Sequence, residues 1–404
     1  MRVVILGAGP AGLTVAETLR EQGSDAEIAM VSAEDAPPYA PPAMADYFLT
    51  GREETLFWKG PDILEQLSVD HRRGVRVRGL KPDTKEVALD GDETLAYDRL
   101  VIATGSRLFA PLRGYDLPGV YNFKSLAAAT SLVERAREGE VRSALIVGAG
   151  FIGVEVALLL ADLGLDVTMV ELADRVMPKM LDIESAEIAL DGIRQRGVTV
   201  RLETEAAEFS GKSRATGVRL TSGEVLSADV YIAATGIKPN AEFARDSGID
   251  VAWGIRTDER LRASAPDVYA AGDVAETFDR LTGERYVHAI FPNAVAQGRI
   301  VGYNLLGYDA VYEGAETMNS LKHLGLPMMA VGLKEGQEEI RSRRGHILRK
   351  VVLSDGKIVG FRLAGDIRGA GFYHSLMLRG ADVRGLEEHL LDPRFGAGSL
   401  AVSA

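Results

Sequence analysis

Gly7, Gly9 and Gly12 follow the apolar run Arg2–Leu6 in the spacing G-x-G-x-x-G, with Pro10 and Ala11 inside the pattern and helical periodicity after it. Residue types in this arrangement suit one task. The first glycine permits a tight turn, the second lets backbone approach a pyrophosphate, and the third lets the following helix pack close to its strand. The helix start then offers unpaired N–H groups and a partial positive charge to an anion. One such turn is a weak signal. A second, Gly148, Gly150 and Gly153 with Phe151 and Ile152, stands 141 residues later, again directly after an apolar run, Ser143–Val147.

Carboxylates recur where each unit would need them. Glu171 closes the strand expected over 166–171, 18 residues after Gly153, where it can accept hydrogen bonds from ribose hydroxyls and repel a 2′-phosphate. Ser32 and Glu34 are both candidates for the same place in the first unit. A run Asp267–Ala271 ends in Gly272–Asp273, which sets a carboxylate at the C-terminal edge of a strand, the edge at which open α/β sheets bind ligands. Ala103–Thr104–Gly105 and Ala234–Thr235–Gly236 each end a later apolar strand, so each half carries an early glycine turn and a late Ala-Thr-Gly. This is an internal repeat of two nucleotide-binding halves.

The elements that position these residues follow from periodicity. The first unit reads as strand 2–6, helix 11–22 and strand 26–31; the second as strand 143–147, helix 151–163 and strand 166–171. Pro37–Pro42 reads as a stiff extended loop, and Pro111–Pro118 as a crossover linker. A helix opens at Pro292, Asn293 and Ala294. From 313 strand-like runs at 328–333, 346–353 and 357–363 precede helical patterns at 368–379 and 384–391. The expected fold is α/β: two Rossmann-like dinucleotide-binding domains of three-layer type and a small C-terminal α+β domain. The expected divisions are 1–112 with 238–312, 113–237, and 313–404.

Composition removes several classes. The 404 residues contain no cysteine, which excludes disulfides, thiolate metal sites, Fe–S clusters and cysteine nucleophiles. A net charge of −12 opposes generic nucleic-acid binding. No run is long and apolar enough for a membrane span and no signal peptide is visible, so a cytoplasmic location is expected. Residues 313–404 carry 13 Lys+Arg and 11 Asp+Glu, a net of +2 that leaves −14 on the rest. Within them Arg341, Arg343, Arg344, Arg349 and Lys350 form a basic run, read as a solvated hairpin or as a dock for an acidic protein.

In combination these motifs resemble the two-dinucleotide-binding flavoproteins called pyridine nucleotide-disulfide oxidoreductases. Among them the chain is most similar to NADH:rubredoxin, ferredoxin and nitrite-reductase-like reductases. The resemblance implies FAD on the first glycine turn and NAD(P)H on the second, with NADH favoured over NADPH by Glu171. It implies that Asp273 meets the ribityl–pyrophosphate region of FAD, that backbone near Val77 meets the adenine, that Glu155 lies beside the nicotinamide, and that the helix opening at Pro292 faces the flavin pyrimidine. Two features depart from the pattern. Residues 39–48 hold no redox cysteine, and Pro41 and Asp46 stand where ferredoxin-reductase relatives tend to have Arg and Lys.

The implied activity is hydride transfer from NADH to FAD, then electron transfer to an acceptor such as a small acidic carrier protein. It needs no side-chain acid, base or nucleophile and no metal. Alternatives are an NADH oxidase or diaphorase reducing oxygen or small acceptors, and a redox-sensing interaction protein. A monomer or a homodimer is consistent with the resemblance.

Overall fold

The computed structural model describes residues 1–322 and 324–396; the end of the expected C-terminal domain, 397–404, lies outside the described residues. The chain divides into two compact units. One holds Met1–Leu108, Asn122–Val133 and Ile237–Glu316; the other holds Phe109–Tyr121, Glu134–Gly236 and the chain from Thr317 on.

The first unit is built on a parallel sheet in the order Val268–Ala270, Arg99–Ile102, Arg2–Leu6, Glu27–Val31, Val69–Arg72. Side chains alternate across a strand, so the buried run Arg2–Leu6 feeds two cores. Val3 and Ile5 pack with Leu13 and Leu19 of helix Pro10–Glu21 and with Val301 of helix Phe291–Leu305. Val4 and Leu6 face the other way, onto Leu80, Val87, Leu89 and Leu95 of a three-stranded antiparallel sheet. Each fully buried aliphatic side chain contributes about 1.5–3 kcal/mol, which fixes the sheet between its helical and β layers.

The second unit repeats the plan. Its parallel sheet runs Thr199–Arg201, Asp166–Val170, Ser143–Val147, Val230–Ala233, Val120–Tyr121. Leu145 and Val147 pack on Phe209, Val218 and Leu220 of its own antiparallel sheet, Ala206–Gly211, Ala215–Leu220 and Val225–Leu226. The same unit contains an antiparallel sheet in the order Met318–Leu321, Met328–Gly332, Lys357–Ala364, Ile347–Ser354, Glu338–Arg344, with helix Ala370–Leu378 buried against it through Tyr373 and Leu376.

Several local expectations differ from the structure. The proline loop is not extended throughout: Pro41–Ala43 forms a 3₁₀ turn that leads into helix Met44–Thr50, because proline is tolerated at a helix start. Residues 126–137 form a helix that the sequence reading passed over. The helical pattern at 384–391 narrows to one turn, Glu387–Leu390. Among the described residues no helix is long and apolar enough to cross a membrane.

Candidate dinucleotide sites

The two glycine turns have matching geometry. Gly7 adopts φ +114° and Gly148 φ +102°, values open to glycine and strained for any other residue. A Cβ on Gly7 would fall 2.1 Å from the carbonyl oxygen of Ala103, and one on Gly148 would fall 2.5 Å from that of Ala234. A Cβ on Gly12 would lie 2.1 Å from Gly7 O, and one on Gly153 would lie 2.2 Å from Gly148 O. The first glycine of each turn is therefore packed under the Ala-Thr-Gly of its own half, and the third is packed under the first. Ala103 N–H donates to Leu6 O and Ala234 N–H to Val147 O, both at 2.7 Å, tying each late motif to its early strand.

The middle glycines are different. Gly9 and Gly150 have nothing within 4 Å of where a Cβ would stand. Each is the N-cap of the next helix, Pro10–Glu21 or Phe151–Asp162, and neither helix has a side-chain cap. The first-turn N–H groups and open space beside them form a cradle for an anion. The residues fit a dinucleotide pyrophosphate at both turns.

In the first unit Gly272 N–H donates to the buried Gln297 Oε1 at 2.7 Å, which anchors the Gly-Asp motif to helix Phe291–Leu305. A Cβ on Gly272 would sit 3.1 Å from Ala11 Cβ, so the motif also abuts the start of the first helix. Asp273 accepts from Ser106 Oγ at 2.9 Å and forms an ion pair with Lys124 Nζ, which also meets Ser106. Thr104 Oγ1 donates to Asn240 O at 2.8 Å and Asn240 Nδ2 donates back to Thr104 O at 2.9 Å, holding the turn at Gly105. Arg107 bonds the Asn240 side chain and pairs with Glu242. Burial pushes the Glu242 carboxyl up, and Arg107 and Lys238 more than offset it, leaving a value of about 2.

Ser32 and Glu34 are brought to the end of strand Glu27–Val31, each with partners of its own. The Glu34 carboxylate accepts from Tyr39 Oη and from the N–H of Leu126, both at 3.1 Å. Burial raises its pKa despite these donors. Burial and the neighbouring Glu34 charge raise that of Tyr39. Ser32 Oγ donates to Glu34 O at 3.0 Å and meets His71 Nε2 at 2.9 Å. Val77 opens strand Val77–Lys81 at a register shift. At the other candidate helix the Asn293 side chain is occupied: Nδ2 donates to Glu316 O at 2.8 Å, and Oδ1 accepts Glu316 N–H at 3.1 Å. Pro292 is exposed and Ala294 buried.

In the second unit Glu171 accepts from the N–H groups of Ala149 at 2.7 Å and Ala173 at 2.9 Å. Its carboxylate thus abuts the glycine turn. Glu155 lies half-buried on helix Phe151–Asp162, and Gly236 begins the strand Gly236–Pro239.

The basic run is a β-hairpin, Glu338–Arg344 with Ile347–Ser354, and most of it is neutralised inside its own unit. Arg341 meets Glu184 at 2.7 Å, Arg343 meets Glu187 at 2.9 Å, and Lys350 meets Asp182 at 2.7 Å. Arg349, 4% exposed, donates to Arg368 O and Tyr373 Oη. Arg341, Arg343 and Arg344 are exposed, as expected of a solvated hairpin, whereas Arg349 and Lys350 are buried. The acidic face of helix Ile183–Gln195 supplies the counter-charges, and periodicity alone does not reveal that facing helix. Lys124, Ser106, Gln297 and Asn240 also escaped sequence reasoning, because each stands outside a glycine motif and acts only across the fold.

The comparisons with known proteins agree with this geometry. The family model described as pyridine nucleotide-disulphide oxidoreductase matches residues 1–298. The chain is 30% identical over 401 residues to an NADH oxidase of Methanocaldococcus jannaschii, covering 91% of this chain and 88% of that protein. It is 33% identical over 289 residues to the ferredoxin–NAD(+) reductase component of the biphenyl dioxygenase system of Paraburkholderia xenovorans, covering 70% and 69%. A solved ferredoxin reductase from Rhodopseudomonas palustris superposes with a TM-score of 0.88 at 26% identity over 99% of both chains. The repeated glycine cradles, the Gly-Asp motif docked beside the first, and the matched family model lead to one conclusion: the chain belongs to the pyridine nucleotide-disulphide oxidoreductase family, whose members bind FAD and NAD(P)H.

Proposed function

We propose that the protein is an NADH:acceptor oxidoreductase, with FAD on the first glycine turn, NADH on the second, and a small redox protein as electron acceptor. FAD, when bound, supplies the redox chemistry by taking a hydride from the coenzyme and passing electrons onward. The chain's own residues bind and orient. Gly9 and the first-turn N–H groups hold the FAD pyrophosphate, and Asp273, charge-balanced by Lys124, meets the ribityl side. Ser32 and Glu34 stand together at the ribose end of the first unit, Ser32 bonded to Glu34 O and His71 and Glu34 to Tyr39 and Leu126. Backbone at Val77 meets the adenine, and the opening of the helix at Pro292 supports the flavin pyrimidine through backbone and dipole.

The observation that carries the choice of NADH is the Glu171 carboxylate placed against the second turn, where a 2′-phosphate would meet like charge. Glu155 orients the nicotinamide. No side-chain nucleophile is required, and positioning the two rings supplies much of the rate.

A second reading has its own support. Neutralisation of Arg341, Arg343 and Lys350 removes much of the basic surface that would attract an acidic carrier, which favours a small diffusible acceptor or oxygen. With no cysteine, oxygen would be reduced to hydrogen peroxide rather than water.

Anaerobic mixing of the FAD-loaded protein with NADH tests the core reading. Rapid bleaching of the flavin band, followed by reoxidation on a ferredoxin or rubredoxin, supports the reductase. Reoxidation by oxygen or a dye and not by carriers supports the second reading. A persistent charge-transfer band without turnover points instead to a redox sensor, and absence of any yellow cofactor after FAD reconstitution overturns all three.

A further inference from the structure

The loop 171–182, between strand Asp166–Val170 and helix Ile183–Gln195, does more than carry Glu171. Met177 adopts φ +48°, a conformation that a non-glycine residue holds only when its surroundings impose it. In that conformation its N–H donates to Ala149 O at 2.8 Å. Ala149 is the middle residue of Gly148–Ala149–Gly150, and its own N–H already serves Glu171. The peptide groups on both sides of Ala149 are therefore pinned by this one loop.

The loop is in turn held by the antiparallel sheet of the same unit and by the connection 333–337 between two of its strands. Lys334 Nζ donates to Pro178 O at 2.8 Å. Arg362 Nε donates to Met180 O at 3.1 Å. Lys350 pairs with Asp182, which caps helix Ile183–Gln195 by accepting Ser185 N–H at 2.9 Å. Arg362 is 2% exposed, and its described hydrogen-bond acceptors are backbone carbonyls: Met180, Val331, Gly332 and Leu333. Burial draws its pKa down to about 10. Burying a guanidinium is expensive unless its donors are met in a defined geometry. Three cationic side chains thus grip three alternate residues, Pro178, Met180 and Asp182, of a loop whose far side fixes the glycine turn.

We infer that Lys334, in the connection after strand Met328–Gly332, and Arg362, on strand Lys357–Ala364, are positioning residues for the nicotinamide coenzyme: by gripping loop 177–182 they set the geometry of the Gly148–Gly150 turn and so the affinity for NADH. This rests on the reading that the second turn holds that coenzyme. It gives the C-terminal sheet and its connection a role at the coenzyme site, through residues about 185 and about 213 positions away in sequence from the turn.

The test uses the FAD-loaded full chain with Lys334→Met, Lys334→Arg and Arg362→Lys. Kinetics are read with NADH and ferricyanide, and backbone amide exchange is followed across 145–151. Loss of one charge-assisted hydrogen bond should raise KM for NADH about tenfold in Lys334→Met. Expected alongside are kcat within about twofold, unchanged FAD content and faster exchange at Ala149; Lys334→Arg should restore both KM and protection. Unchanged KM with unchanged exchange overturns the inference. So does a parallel fall of kcat, FAD content and melting temperature in Lys334→Met and Arg362→Lys, which signals general destabilisation. Should the wild-type protein show no saturable response to NADH, the coenzyme assignment fails, and the exchange data still report whether the sheet holds the turn.

Discussion

The N–H of Ala149 donates to Glu171 Oε2 at 2.7 Å, so the carboxylate assigned to the coenzyme ribose is also a structural partner of the glycine turn that would hold the pyrophosphate. A carboxylate in this place has two consequences. It orients the turn for any dinucleotide, and it discriminates by charge against a 2′-phosphate.

Glu171→Ala separates the two. Both coenzymes should bind less well through loss of the Ala149 contact, and NADH should lose more because only it also loses the ribose hydrogen bonds. The ratio of kcat/KM for NADH to that for NADPH should fall by about tenfold or more, in line with a hydrogen bond to a charged group. Equal losses for the two coenzymes would remove Glu171 as the selector.

Open space at Gly9 and Gly150 predicts a split between binding and folding. Gly9→Ala should fold with a near-normal Tm and retain little FAD, since its Cβ enters the anion cradle and meets no protein atom within 4 Å. Gly150→Ala should keep FAD and lose NADH affinity. Gly12→Ala and Gly153→Ala should instead fail as folds, because their Cβ atoms would overlap backbone oxygens at 2.1 and 2.2 Å. Flavin absorbance per protein and thermal melts measure both effects. Substantial unfolding in Gly9→Ala would contradict the assignment.

Asp273→Ala should lose FAD and leave Lys124 without its carboxylate. Lys124→Met should also weaken FAD, by leaving a bare carboxylate beside a diphosphate, whereas Lys124→Arg should retain most of it. The measurement is the FAD dissociation constant by fluorescence recovery. Full FAD retention in Asp273→Ala would discard its assigned role.

His71 supplies a pH dependence. Burial first, and Arg73 next, depress its pKa from 6.5 to about 4, so the fold holds it neutral. Arg73 Nε donates to Nδ1 at 3.3 Å, which puts the imidazole proton on Nε2, donating to Ser32 Oγ. Because the folded value lies below the unfolded one, the contribution is fully present above pH 6.5. It declines as pH falls and is gone below about 4. Denaturant melts of His71→Gln against wild type should show a stability difference that shrinks from pH 7 to pH 4. A difference constant with pH would refute the neutral assignment. The ring ¹⁵N shifts should report the Nε2–H tautomer.

Much of the architecture was legible from spacing. Gly7–Gly12, Gly148–Gly153 and the two Ala-Thr-Gly endings are local patterns imposed by backbone geometry. The structure packs Gly7 under Ala103 and Gly148 under Ala234, with no Cβ possible at either. The unbroken apolar runs in Arg2–Leu6 and Ser143–Val147 likewise identified strands, which the structure buries on both faces. The basic run was legible as a hairpin and illegible as an ion-paired surface, because its partners Glu184 and Glu187 lie about 155 residues away.

The amino-acid sequence by itself determined that this chain has two dinucleotide cradles, a Gly-Asp motif beside one of them, and no thiol chemistry. Those properties depend on which residue types stand within a few positions of one another, and on the absence of cysteine. Tertiary structure decided which distant residues support the groups around those cradles. Lys124 balances Asp273, Tyr39 and Leu126 engage Glu34, and Lys334 and Arg362 reach the loop that holds Ala149. Charge pairing acts through space over a few ångströms, and only the folded chain brings residues so distant in sequence within that range.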